Sequence, residues 1–286
     1  MTKYSQSEII PAKTDIGALG NRINAETKSI HDKLDKMVTV KFALALRDYR
    51  IYRQGLQAFY HVFQAIEKAL QREFDTRPND EITLLLKQVW RPEIARTPKA
   101  ETDLLFYYDN CKEKFVVPKM PEQIKFYNHI LEVTQEKPYL LFAYMHVMYL
   151  ALFAGGKVMR SSFARATGLF PQKNGLSHDE IIKLGSNFFN FDVEDDSELR
   201  IEYKREYELA TRNNLSEKQK QDILDEAQYI FKQNANCIME LEQHNLARLK
   251  QKWGYRAITK GYYVVLTSFI FLVLFYLRRI VLNYLI

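Results

Sequence analysis

Apolar positions recur along this chain at three- and four-residue intervals, the period of a helix with one buried face. Ile23, Ile30, Leu34 and Met37 mark a first helix over about Asn21 to Met37, with helix-like spacing beginning near Leu19. Val38 to Asp48 and the aromatic-rich stretch Tyr52 to Phe74 read as two more. Pro78 to Asp80 breaks the pattern, which resumes near Glu81 until Pro92 and Pro98 interrupt it. After a connection over Val116 to Pro121, helices are expected at Glu122 to Thr134 and at Tyr139 to Thr167. Pro138 suits the start of the latter, where its missing N–H is no loss, and Gly168 and Pro171 end it. A looser stretch carries Phe188-Phe189-Asn190-Phe191. Two last helices come after it, at Ser197 to Arg212 and Ser216 to Trp253, the second opened by the capping pattern Ser216-x-x-Gln219. No repeat is visible. The pattern predicts an all-α fold: a lead-in over 1–16, one helical domain over 17–250, and a basic linker over 251–261 before a distinct tail at 262–286.

Composition narrows the classes. Ten glycines and eight prolines in 286 residues leave long stretches of good helix formers unbroken. The two cysteines, Cys111 and Cys237, form no zinc or disulfide pattern and fit a reducing compartment. The net charge is +6, but the two signs are intermixed and no basic stripe with stacking aromatics occurs. That pattern argues against nucleic acid as a partner.

The tail changes the picture most. Tyr262 to Leu277 is a run without a charge, about 24 Å long as a helix against a bilayer core of about 27 Å. Arg278-Arg279 comes next, able to snorkel, before a further apolar stretch to Ile286. Lys250, Lys252, Arg256 and Lys260 precede it, which under the positive-inside tendency keeps the large domain cytosolic. The start of the chain reads as neither a signal nor a transit peptide. A C-terminal transmembrane helix, tail-anchored in the endoplasmic reticulum membrane, is the expectation.

Two features carry candidate chemistry. None of the six histidines forms a paired metal motif, yet one axial imidazole suffices for heme. His31 has Thr27 one turn before it and Asp35 one turn after, close enough for a carboxylate to fix the ring's tautomer. An ordinary surface histidine beside an acid has the same spacing. In Tyr149-Leu150-Ala151-Leu152-Phe153-Ala154-Gly155-Gly156 the small residues Ala151, Ala154 and Gly155 bare one helix face. Such a face admits either a flat ligand or a second helix, and the glycines tolerate a kink.

In combination these stretches resemble the heme oxygenase family, over about residues 17–245, and most closely its fungal, membrane-anchored branch. Glu26 to His31 resembles the proximal segment, Phe59 to Glu67 the family's aromatic helix, Tyr149 to Gly156 its glycine-rich distal signature, and Phe188 to Phe191 an aromatic strip beyond. The resemblance implies a heme oxygenase fold in which heme b, at once prosthetic group and substrate, lies between a proximal helix and a kinked distal one. It implies cleavage at a meso carbon to biliverdin, CO and iron, using O2 and electrons from NADPH through NADPH–cytochrome P450 reductase. The alternative is a membrane-anchored heme sensor or chaperone that degrades nothing. By the same resemblance His31 is the iron ligand, and Ala151, Leu152 and Gly155 form the distal catalytic face. Thr27, Lys28, Asp35, Phe63, His146, Tyr149, Gly156, Arg200, Lys204 and Phe231 are the expected heme-contacting set. Two departures stand out. Leu152 replaces the aspartate that ordinarily holds distal water, and Phe63 replaces the tyrosine that joins it. Neither can hydrogen-bond. The positions of the proximal propionate lysine and distal tyrosine hold Asn24 and His146. Arg47, Arg50, Arg53 and Arg160 are the residues expected to meet the acidic face of the reductase.

Overall fold

The computed structural model describes residues 10–45, 48–153, 170–171, 175–251 and 253–285, and every regular element among them is helical. The chain divides into two compact units, Met1–Glu240 and Leu241–Ile286.

In the first unit, α1 (Leu19–Ala45) is one continuous helix, so the expected break near Val38 does not occur. Nothing in Met37-Val38-Thr39 stops a helix: no Gly, no Pro, and a change of apolar phase alone costs no hydrogen bond. The chain turns instead at Asp48, whose side chain accepts from Arg50 N at 3.0 Å and caps α2 (Tyr49–Thr76). Helix α2 is the central element. Leu56, Tyr60, Phe63, Ile66 and Leu70 on it are buried, and it packs against α4 (Thr97–Tyr107) and α5 (Pro121–Glu136). Between them α3 (Glu81–Val89) starts on an Asp80 cap, with Oδ2 accepting from Ile82 N at 3.1 Å.

A 3₁₀ turn, Pro138–Leu140, leads into α6 (Leu141–Tyr144), a π-turn (Met145–Tyr149) and a further helical stretch to 153. The kink expected at Gly155-Gly156 lies outside the described residues, while a break in regular α geometry stands two turns earlier. Widened turns of this kind are rare and occur mostly at functional sites. Helix α7 (His178–Gly185) opens on a full capping box between Ser177 and Glu180. It falls in the stretch whose sequence reads as loose. Helix α8 (Asp196–Arg212) comes next, and α9 (Glu217–His244) starts with the expected box: Ser216 N donates to Gln219 Oε1 at 2.8 Å and Gln219 N to Ser216 Oγ at 3.2 Å.

The second unit holds α10 (Leu246–Gln251) and α11 (Trp253–Leu285). Along α11 large apolar side chains from Tyr263 to Tyr276 are exposed. Among the described residues, no helix is long and apolar enough to cross a membrane.

The π-turn is held from α8. Tyr203 and Tyr207, four residues apart on one buried face, donate to the carbonyls of Met145 at 2.8 Å and Phe142 at 3.0 Å. Both hydroxyls are buried, and burial raises their pKa well above 10, so they remain donors at any working pH. Losing such a bond costs about 1 kcal/mol. Tyr203→Phe and Tyr207→Phe are each expected to lower unfolding stability by about that amount in urea titrations. The double variant should also increase hydrogen exchange at amides 142–150, and unchanged exchange there would show that the turn stands without them.

Candidate active site

The site is built on one face of α1. Gly20, Asn24, Thr27 and His31 succeed one another at four, three and four residues, which aligns them along the helix. Thr27 is buried, and its hydroxyl donates to Ile23 O at 2.7 Å, so it presents its methyl group rather than a polar contact. His31 is open: its side chain is 59% exposed. Its ring meets Phe231 of α9 edge-on, centroids 5.7 Å apart. These two expected heme contacts are thus brought together.

The carboxylate within ion-pair range of His31 is Asp32, whose Oδ1 lies 3.6 Å from Nδ1, and not Asp35. Asp35 is exposed on the same helix. An exposed acid gains too little from an exposed imidazole to give up its water. Lys28 is likewise exposed on α1.

Opposite α1 stands the distal element. Ala151 is exposed whereas Leu152 and Phe153 are buried, so the expected face of Ala151 and Leu152 divides between surface and core. Consecutive residues of a helix point about 100° apart, so positions 151 and 152 cannot lie on one face. Gly155 and Gly156 lie outside the described residues. Phe63 is a core residue, its ring 5.1 Å from Tyr149 and 5.6 Å from Phe188. Tyr149 packs edge-on against Trp90 as well, and its hydroxyl donates to Glu67 Oε1 at 3.2 Å. Glu67 also accepts from the backbone N of Arg96 at 2.6 Å and of Thr97, so one buried carboxylate ties the distal element to the start of α4. Burial raises the pKa of Glu67 despite these donors.

The aromatic strip is a brace for this element. Phe191 stacks on Phe153 at 4.6 Å with rings nearly parallel. Arg96, fully buried, lies 4.3 Å above Phe191 and donates to the carbonyls of Phe188 and Asn190. Burial lowers its pKa to about 10, which leaves it charged. Asp103 accepts from the backbone N of Asn187 and Phe188, both at 2.8 Å. Neither clamp is legible in the sequence, since a lone Arg or Asp on a helix normally signals a wet face.

His146, in the π-turn, is buried and sits against α1. Its Nε2 lies 3.0 Å from Asn24 Oδ1, and its ring is 5.3 Å from that of Tyr207. Burial, and then repulsion from Lys204, lowers its pKa to about 4. Lys204 is half-buried. Its own pKa is lowered by burial and by Arg200 and Lys13, so three cations gather beside the distal element. Lys13 comes from the lead-in and carries no sequence signal. Arg53 does not project outward as a docking residue: it donates to Tyr107 O at 3.0 Å and covers the Tyr108 ring at 4.3 Å. Arg50 is exposed, and Arg47 and Arg160 lie outside the described residues.

An imidazole open on α1 and a braced, interrupted helix that meets α1 through His146 and Asn24 mark an all-helical fold with a ligand-type imidazole at its surface. The heme oxygenase family model matches residues 17–240. The chain is 39% identical to the heme-binding protein HMX1 of Saccharomyces cerevisiae, over 90% of this chain and 86% of that one. It is 25% identical to a heme oxygenase of Guillardia theta, over 78% and 86%. The structure of the Leptospira interrogans heme oxygenase superposes with a TM-score of 0.64 at 23% identity, covering 78% of this chain and 99% of the other. For heme oxygenase-1 of Synechocystis sp. PCC 6803 in complex with heme the TM-score is 0.65 at 22% identity, covering 82% and 96%. This chain belongs to the heme oxygenase family.

A second buried histidine gives the fold a pH signature. His61 on α2 is 1% exposed, and burial, then Lys68, lowers its pKa from 6.5 to about 4. Below pH 6.5 the unfolded chain binds a proton that the folded chain refuses until about pH 4. Stability attributable to His61 therefore falls as the pH drops through that window, by about 1.4 kcal/mol per unit. Asp103, raised by burial to about 6, works in the opposite direction and is common to wild type and variant. His61→Phe should thus gain on wild type by about 2 kcal/mol between pH 6.5 and 5, read from urea midpoints. A gap independent of pH would show that His61 is protonated in the folded state.

Proposed function

We propose that this protein cleaves heme at a meso carbon, releasing biliverdin, CO and iron, with O2 as oxidant and electrons from NADPH delivered by a separate membrane-bound reductase. The observation that carries the reading is His31, open to solvent on α1 and edge-on to Phe231, in a chain of heme oxygenase fold. The site fits the group: a single neutral imidazole is a ligand type that heme iron takes, and a protonated His31 could not serve. When bound, heme supplies both the oxygen-activating iron and the carbon that is attacked.

The chain's own residues then have distinct tasks. His31 would hold the heme iron, and Phe231 limits the rotation of the imidazole ring. Ala151, exposed and small, would leave room for the bound group. Lys204 and Arg200, with Lys13, offer the cations that the two propionates need. Leu152 and Phe63 exclude water where the family's usual residues hold it. Tyr149 gives its hydroxyl to Glu67, His146 gives Nε2 to Asn24, and the carbonyls of Phe142 and Met145 accept from tyrosines. His146 Nδ1, which has no partner among the described residues, is one group left to accept from a distal water, and the backbone carbonyls at Gly155-Gly156, outside the described residues, are the other candidates. The same apolar lining favours a second reading, a heme binder without turnover.

One assay separates them. Purified protein with hemin, NADPH and a flavoprotein reductase is expected to give a biliverdin spectrum, whereas bleaching without biliverdin would leave only the binder. His31→Ala should abolish the hemin Soret shift and the product together, and a retained shift would move the ligand elsewhere.

We also propose that residues 262–286 anchor the protein in the endoplasmic reticulum membrane with the helical domain in the cytosol. Support comes from the uncharged run Tyr262 to Leu277, the basic residues before it, and the exposed apolar side chains along α11. The full chain is expected to stay with membranes through alkaline carbonate extraction, and a chain ending at 250 to be released. Release of both would remove the anchor.

A further inference from the structure

The positions at which the resemblance places two propionate contacts, Asn24 on α1 and His146 on the distal element, are joined to each other. His146 Nε2 lies 3.0 Å from Asn24 Oδ1; the amide oxygen can only accept, so the ring nitrogen donates. The seat for the ring is Gly20, one turn before Asn24. A Cβ there would stand 2.9 Å from His146 Cε1, closer than side chains approach one another, so the absence of a side chain at 20 lets the imidazole reach α1. The ring is braced on its other side by Tyr207, whose hydroxyl holds Phe142 O one turn before His146. His146 is buried, and its Nδ1 has no hydrogen-bond partner among the described residues. The low pKa keeps the ring neutral, with its one proton on Nε2, where Asn24 accepts it.

The location gives this bond its consequence. Asn24 precedes His31 by seven residues, two turns or about 10.5 Å along the same face. His146 precedes Ala151 by five residues on the distal element. The bond therefore joins the two elements seven residues before His31 on one and five before Ala151 on the other.

We infer that Asn24, His146 and Gly20 form a latch that fixes the spacing and rotation of the distal element against α1, and thereby which meso carbon is presented to Ala151. Asn24 and His146 are positioning residues in this scheme, and the propionates go to the cation cluster on the α8 side. The inference rests on the heme-cleavage reading for its effect on product, but the latch itself is testable without turnover.

The test is a double-mutant cycle of Asn24→Leu and His146→Leu, with His146→Gln as the conservative variant whose amide N–H can donate in place of Nε2. Each Leu variant should weaken hemin affinity about fivefold, the worth of one neutral hydrogen bond. The double variant should be no weaker than either single one, and His146→Gln should return to within about twofold of wild type. Product analysis should show a mixed set of biliverdin isomers for the Leu variants and the wild-type set for His146→Gln. Losses that multiply in the double variant would mean that the two residues bind heme independently, and the latch is then wrong. An unchanged isomer set in both Leu variants overturns the assignment of carbon choice to it. If wild type binds hemin without yielding biliverdin, the function fails and the affinity cycle still decides the latch. If wild type binds no hemin, the same cycle is read from urea midpoints of the apoprotein, where additive losses overturn it.

Discussion

A buried backbone carbonyl must find a donor, and that requirement organises this structure. The distal element enters the core through a 3₁₀ turn, one α turn and a π-turn, a succession of geometries that shifts the usual donors. Tyr203 and Tyr207 add donors to Met145 and Phe142 from a neighbouring helix, and the Phe142 carbonyl accepts from Met145 N as well. Because those hydroxyls are spaced by one turn of α8, the distal element is locked to α8 in both height and rotation. Everything else on the distal side is arranged around an element already fixed: Glu67 ties Tyr149 to α4, and the Phe153–Phe191 stack is held from behind by Arg96.

Buried charge extends the same logic to the lead-in. Arg212, at the end of α8, is 5% exposed and pairs with Glu208 and with Asp15, the latter at 2.6 Å. Asp15 also accepts from Gly17 N at 2.9 Å, and Lys220 of α9 donates to Arg212 O at 2.7 Å. Removing one partner from such a group leaves an uncompensated buried charge, a cost of several kcal/mol. The lead-in is thus pinned by one residue of α8, and that pinning brings Lys13 to Lys204 and Arg200. A segment that reads as a disposable polar leader helps to assemble the cationic side of the cleft.

Much of this is legible in the residues. Helix order, the capping box at Ser216 and the Pro138 start come from period and caps, whereas the ring contact between His31 and Phe231 appears only in the structure. The differences have identifiable causes. A change in apolar phase at Val38 resembles a helix end, although no breaker stands there. Helix α7 is hidden because eight residues give too little periodicity beside a loop. Ala151 and Leu152 divide because neighbours on a helix do not share a face, and the π-turn before them is hidden because an inserted residue in the hydrogen-bond ladder leaves no mark in composition. Spacing favours Asp35 over Asp32, but it fixes where Cβ atoms lie and not where short side chains turn. Arg96 and Asp103 give no sequence signal because each is recognisable only with its backbone partners in place, and Glu67 is marked only as the end of the aromatic family motif.

The apolar distal lining gains a meaning from these constraints that the sequence alone does not give it. Leu152 and Phe63 belong to a continuous packed layer with Tyr149, Phe188 and Phe153. A polar residue at either position would need a buried partner, and several polar groups of the distal element are committed: Tyr149 to Glu67, Glu67 to the start of α4, His146 Nε2 to Asn24. Replacing Leu152 by aspartate in this background would therefore bury an unpaired carboxylate at a cost of several kcal/mol. Replacing it together with Phe63→Tyr would supply one donor and offset part of that cost. The two departures from the family pattern are in this sense one departure. The chain has exchanged a hydrogen-bonded distal wall for a packed one, and the distal element's position, which water and aspartate would otherwise help to set, falls to side chains that reach it from α1, α2 and α8.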